Sequence, residues 1–262
     1  MTNDEQSYLR DVQYRFPDRL KARSLLHTRY GRGDWFDWLS ANIPLPSGAT
    51  VADLGCGVGA FWTNAPDSVA SDLKLRLFDI SKGMVDAART SIDALERWTD
   101  VEAEVANAEA LPLGDASIDT AMAIHVLYHL AHPEKGVEEM ARVTRRGGAA
   151  AVVLNPSDTM SELSTLVRQA LGTAFEARLQ PLSSEQGVEI MRRQFDRVDV
   201  VRYDDQLTVT DPADLLAYLG SLPHAEPEGA MEKLASAVSD AFRRSDGAFS
   251  ISKASDLILG RP

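Results

Sequence analysis

The stretch Val51-Ala52-Asp53-Leu54-Gly55-Cys56-Gly57-Val58-Gly59-Ala60 decides the fold. A short apolar run leads into three glycines at alternate positions, and a helix-compatible segment follows. Glycine admits positive φ and lets a ligand lie against the main chain, while the helix start offers unpaired N–H groups. Gly55, Gly57 and Ala60 also satisfy the relaxed dinucleotide pattern G-x-G-x-x-A, so a nicotinamide or flavin oxidoreductase is the first rival reading. Asp53 argues against it. A carboxylate two residues before the first glycine opposes a diphosphate and favours a ligand with a free ammonium group.

Outward from that loop, short apolar runs alternate with helical stretches. The pattern predicts strands at 50–54, 73–79, 101–106, 119–124 and 149–154, with helices over 81–97 and 133–144 between them. Such alternation argues a mostly parallel sheet covered on both faces, with a ligand crevice at the carboxyl ends of its strands. Beyond 160 the reading gives helices at 161–172, 184–194, 212–222 and 228–244. Strands at 198–203, 206–210, 249–253 and 256–260 accompany them, and imply an antiparallel edge on the parallel sheet. Upstream, 4–42 reads as helical, and Pro44, Pro46 and Gly48 end that region. The expected organisation is a helical lid over 1–47 and a core over 48–262, with helical insertions at about 160–194 and 211–244.

Two further anchors support nucleoside binding. Strand 73–79 ends at Asp79, 24 residues after Gly55, where a carboxylate can accept both hydroxyls of a ribose. Ile80 follows it, and Met84 at the head of the next helix is read either as a cover for adenine or as plain core. After strand 101–106 comes Asn107-Ala108-Glu109-Ala110-Leu111-Pro112-Leu113. The Asn107 amide suits an adenine amino group, or else serves a turn, and Glu109 is otherwise a solvated loop charge. S-adenosylmethionine has a ribose, an adenine, a free ammonium and no phosphate. It is the expected cofactor, with S-adenosylhomocysteine as its product.

With those anchors in order, residues 50–155 resemble the class I S-adenosylmethionine-dependent methyltransferases, in the branch with ubiquinone- and menaquinone-type enzymes. VADLGCGVG, the Asp79 strand end, NAEALPLGDASID and AIHVLYHL…EEMARVTRRGG carry the resemblance. QYRFPDRLKARSLLHTRYG at 13–31 is similar to the helical N-terminus of bacterial small-molecule methyltransferases. The resemblance implies a Rossmann-like α/β fold of seven strands, the last antiparallel. It also implies that Asp53, Gly55, Gly57 and Gly59 hold the methionyl part and that Asp79 holds the ribose, with Cys56 and Ile80 among the expected cofactor contacts. Asn107 and Ala108 would then face adenine, Glu109 is a further expected cofactor contact, and His125 would lie near the cofactor. The branch usually has aspartate where Asn107 stands. Tyr14, in its QY context, would close over the cofactor with its hydroxyl near the methyl group or the acceptor.

Displacement at an activated methyl group needs a positioned nucleophile and a dry site, and a base only where the nucleophile starts protonated. His125, Tyr128, His129 and His132 follow strand four, where this fold binds ligands. His129 is the candidate base or acceptor hydrogen-bonder, or else packs its loop. A His125/His129 metal pair lacks an evident third ligand, so no metal is expected. Tyr8, Tyr128, His129 and Asn155 are the expected acceptor contacts. Arg23 is read as a partner for a cofactor or substrate carboxylate, or as a surface ion pair, and Trp35 and Trp38 as packing for the lid.

The chain has 262 residues with 27 basic and 39 acidic side chains, a formal charge of −12. That charge disfavours phosphate backbones, so a small-molecule acceptor is expected and nucleic acid is not. No apolar run reaches the roughly 20 residues of a membrane span, and the single Cys56 permits no internal disulfide. A cytoplasmic monomer or homodimer is expected. Besides the oxidoreductase, two rivals stay open: a binding protein that has lost turnover, and a cyclase assisted by the bound sulfonium.

Overall fold

The computed structural model describes residues 25–31, 33, 35–172, 182–222 and 227–262. A helical segment over 25–30 precedes α1 (Trp35–Asn42). Then come β1 (Thr50–Leu54), α2 (Ala60–Thr63), β2 (Lys74–Asp79), α3 (Lys82–Asp93), β3 (Asp100–Val105) and β4 (Ile118–Ile124). A 3-10 turn at Leu127–His129 leads to α4 (Pro133–Val143), β5 (Thr144–Leu154), α5 (Ser161–Leu171) and α6 (Ser184–Arg192). The remaining elements are β6 (Arg197–Val209), α7 (Pro212–Gly220), α8 (Ala230–Arg244) and β7 (Phe249–Arg261).

The seven strands lie in the order β3-β2-β1-β4-β5-β7-β6. All neighbours from β3 to β5 are parallel, and β7 runs antiparallel to both β5 and β6. The chain steps outward from β1 to β3 and then returns to β4 on the other side of β1. That reversal opens a crevice at the carboxyl ends of β1 and β4, the place where such sheets bind ligands.

Alternation along β1 fixes two cores. Ala52 and Leu54 face one side, with Val137 and Met140 of α4 and Ile190 and Met191 of α6. Val51 faces the other, with Leu39 of α1, Phe61 and Trp62 of α2, and Ala88 and Ile92 of α3. Each fully buried aliphatic side chain stabilises the fold by roughly 1.5–3 kcal/mol relative to exposure. A third core joins Leu26 to α5, α7, α8 and the ends of β6 and β7 through Leu166, Leu207, Leu215, Leu234 and Ile251.

Three expectations change. The antiparallel strand does not form the sheet edge, because β7 inserts between β5 and β6. The polar residues around 204–205 and 254–255 do not divide strands, because the ladder from Arg197↔Arg261 to Val209↔Phe249 pairs them in register. β5 begins at Thr144, ahead of the expected 149. Ile118 pairs with Thr144 and Thr120 with Ala149, so Arg145–Gly148 bulge outward, with Gly147 at φ 81°. No described helix is long and apolar enough to cross a membrane.

Candidate functional site

The glycine loop is built from both ends. Cys56 N–H donates to the Phe78 carbonyl (2.9 Å), which ties the loop to β2. Gly55 and Gly57 have φ of 68° and 55°, in the left-handed region where a side chain is strained. A Cβ on Gly55 would stand 2.6 Å from Val126 Cγ2, whereas one on Gly57 would meet nothing within 4 Å. Gly55 is therefore required by packing, and Gly57 leaves open space above the main chain. Cys56 is free and buried, and burial first, then Asp53 and Asp79, raises its thiol above the usual range.

Asp79 closes the loop from the neighbouring strand. Its Oδ2 accepts from Gly57 N–H (3.1 Å) and its Oδ1 from Ser81 N–H (2.8 Å). Burial raises its pKa, against the lowering effect of those backbone donors. The carboxylate is thus oriented before any ligand arrives, with each oxygen keeping a lone pair. Next to it Ile80 is 53 % exposed and Val58 37 %, so two apolar side chains border the loop unpacked. Met84 is half-buried one turn into the helix.

Asp53 is deeper than a surface anchor. It is 4 % exposed, and its Oδ2 accepts from the Trp62 indole N–H (2.9 Å). Burial pushes its carboxyl up to about 7, with the charge of Asp79 adding to the rise. At neutral pH such a group is poised between its two forms, and a neighbouring cation would hold it ionised.

The third anchor serves a turn. Asn107 Oδ1 accepts from Glu109 N–H (2.9 Å), and Asn107 bridges to Ala110. Glu109 is drawn to the start of α4, where its Oε1 accepts from His132 N–H (3.0 Å). Ala108 is buried in the core with Phe78. Asn155 also has a structural tie, since its Oδ1 accepts from Ser255 on β7 (2.8 Å).

His125 adopts φ 58° directly after β4, and its backbone N–H continues the sheet by donating to Val153 (3.0 Å). It stacks on Trp35 (5.9 Å between ring centroids) and tilts against Tyr128 (6.3 Å). Tyr128 packs edge-on to His129 at 4.4 Å. Burial pulls the His125 imidazole down to about 4, with Lys253 and His129 lowering it further. His125 and His129 join no group of three possible metal ligands among the described residues. Tyr8, Tyr14 and Arg23 lie outside the described residues.

The structure adds Tyr203 and Lys253, which the sequence reading did not single out, to the lid residues Trp35 and Trp38. Trp35 stacks on Trp38 (5.2 Å) and packs edge-on to Tyr203 of β6 (5.1 Å). Lys253 of β7 holds its ammonium 5.3 Å from the Trp35 ring centroid and 5.8 Å from that of Tyr203. Along β7, Ile251, Lys253, Ser255 and Leu257 share one side of the strand, and the other three are buried. A lysine in the inward phase of that alternation was the available signal. It was lost where the strand was divided in two. His27 completes the group: its Nδ1 and that of His125 are buried without a partner among the described residues.

A cleft of about 720 Å³ opens between α7 and α8, lined by Pro212, Leu216, Val238 and Phe242. It shares no residue with the glycine loop.

Residues 52–152 match the family described as a methyltransferase domain. The methyltransferase GfsG of Streptomyces halstedii is 26% identical over 194 residues, spanning 73% of this chain and 68% of that protein. A tRNA (carboxymethyluridine(34)-5-O)-methyltransferase of Mus musculus is 37% identical over 111 residues, which are 41% of this chain and only 15% of that protein. Among solved structures, the [4+2]-cyclase SpnF superposes with a TM-score of 0.55 at 17% identity, covering 94% of this chain and 97% of that one. This last likeness is one of fold.

Proposed function

Because residues 52–152 match a methyltransferase domain, we propose that this chain is a class I S-adenosylmethionine-dependent methyltransferase and that it methylates a small-molecule acceptor held beside His125 and Trp35. One observation carries the placement of the donor: the Asp79 carboxylate, clamped by the N–H groups of Gly57 and Ser81 at the mouth of the glycine loop.

The residues present fit that donor. Open space above Gly57 admits a ligand against the main chain, and Asp79 has lone pairs for ribose hydroxyls. Ile80 and Val58 offer apolar cover, with Met84, Asn107, Ala108 and Glu109 at the adenine end. The Asp79 charge acts on the buried Asp53 carboxyl, and two carboxyl groups beside the loop suit an ammonium and repel a diphosphate. That arrangement favours methyl transfer over a nicotinamide reaction on the same loop. When bound, the cofactor supplies a methyl group already activated by its cationic sulfur.

The remaining work is positioning and exclusion of water. Trp35, stacked on His125, forms an aromatic wall beside the carboxyl end of β4. Tyr128 and His129 border it from the following turn. His129 would take the proton of an acceptor that arrives protonated, Tyr14, from the sequence resemblance, would complete the cover, and Tyr8 would contact the acceptor. Arg23 would meet a carboxylate, and Asn155 would close the far side. The acidic balance of the chain, −12, favours a small acceptor over a polynucleotide.

The test is calorimetric titration with S-adenosylhomocysteine and with NADH, followed by incubation with labelled S-adenosylmethionine and extracted small molecules. Binding of the first ligand and labelled product heavier by one CH2 group are expected. NADH binding in its place would overturn the reading. Cofactor turnover with a product of unchanged mass would instead support a cyclase.

A further inference from the structure

We propose that Lys253 selects the acceptor, by receiving a negative charge borne on a flat ring system that lies beside the Trp35–Tyr203 pair. This rests on the methyltransferase reading and names the substrate class of the same site.

The placement comes from the sheet. β7 is antiparallel to β5, with Leu154 opposite Asp256, so Lys253 lies beyond the carboxyl end of β5, on the ligand side of the sheet. Its side chain is half-buried and points to the face occupied by Trp35. The aromatic rings then run without a gap: His125 to Trp35, Trp35 to Tyr203, and Lys253 over both Trp35 and Tyr203. Val126 links the group to the glycine loop through its contact with Gly55.

Lys253 has a counter-charge opposite it but no ion pair among the described residues. Asp205 sits opposite Lys253 in the β6–β7 register, but its Oδ1 accepts from Gln206 N–H (2.7 Å). Its Oδ2 turns toward Gly31, 2.9 Å from where a Cβ there would stand. Among the described residues Lys253 makes no ion pair, and ring faces take the place of a carboxylate. A largely desolvated ammonium held against ring faces, with Asp205 acting on it only through its charge, is stabilised by an incoming anion. Burial lowers the Lys253 pKa, and Asp205 works in the opposite sense. The Nδ1 atoms of His27 and His125 are buried without a hydrogen-bond partner among the described residues. Both imidazoles are held neutral by burial, so they do not duplicate the lysine charge.

The probes are 4-hydroxybenzoate and 4-hydroxybenzamide, alike in shape and different in charge, titrated by NMR into the full chain with S-adenosylhomocysteine bound. The carboxylate should bind the wild type about tenfold more tightly or better. Lys253→Met should bring the two probes to within about twofold, and Lys253→Arg should keep the preference. Lys253→Gln serves the same purpose if the methionine variant does not fold. Equal binding by the wild type, no binding of either probe, or a preference that survives in Lys253→Met overturns the proposal. Titration with S-adenosylhomocysteine comes first on each sample, so failure of the donor site is read separately from failure of anion selection.

Discussion

Val126 fills the space that a side chain at position 55 would need, with its Cγ2 2.6 Å from an ideal Cβ on Gly55. β4 therefore sets the shape of the loop that follows β1. Gly55→Ala adds this clash to the strain of φ 68° and should lower stability by about 2–4 kcal/mol. Gly57→Ala has φ strain alone and should cost only about 1 kcal/mol, yet abolish S-adenosylhomocysteine binding by filling the cradle. Urea unfolding paired with calorimetry separates the two; loss of binding in neither variant would detach this loop from the ligand.

Asp79→Ala should weaken S-adenosylhomocysteine binding by about 1–3 kcal/mol, through lost charge-assisted hydrogen bonds. Asp79→Asn keeps an oxygen for Gly57 or Ser81 but not the charge, and should fall between the two. Unchanged affinity in both variants would remove Asp79 from the ribose site.

Asp53, raised to about 7 by burial, favours the fold most when protonated. Its contribution is complete below the unfolded value near 3.8 and is lost as pH rises through 7. Asp53→Asn can still accept from the Trp62 indole, and it should melt above the wild type by a margin that grows from pH 4 to pH 8. The same variant should bind S-adenosylhomocysteine less well, because the ammonium loses its counter-charge. Melting curves that run parallel across this range would contradict the assignment.

The two partly buried imidazoles act in the opposite sense. His125 falls to about 4 and His27 to about 3, chiefly by burial. Each stabilises the neutral fold above the unfolded value of 6.5 and loses that contribution as pH falls through its folded value. His125→Asn keeps a residue tolerant of φ 58°, and should flatten the decline in melting temperature between pH 6.5 and 4. An acid limb identical to that of the wild type would count against burial of His125 as its cause.

Much of the sheet was legible because its inner strands are simple. Ala52, Leu54, Val152 and Val153 belong to runs buried on both faces, and glycine or proline brackets most of them. Asp79 was legible for the same reason, as the polar residue that ends an apolar strand. The outer strands were not, since Asp204, Asp205 and Ser255 read as breaks until β7 supplies the register that pairs them. Asn107 and Glu109 show a second limit: pattern places them near the crevice, while local hydrogen bonds decide where their oxygens turn. Lys253 lies 128 residues from His125 in sequence, and only the sheet order brings them near.

The insertion of β7 between β5 and β6 has a consequence for biosynthesis. β6 leaves the ribosome before the strand that joins it to the sheet, so its thirteen residues must wait unpaired while α7 and α8 are made. Until 249–261 emerge, β5 also presents an open flank, and the nascent protein carries two sticky borders. Premature termination ahead of this segment would yield an aggregation-prone fragment rather than a smaller working enzyme.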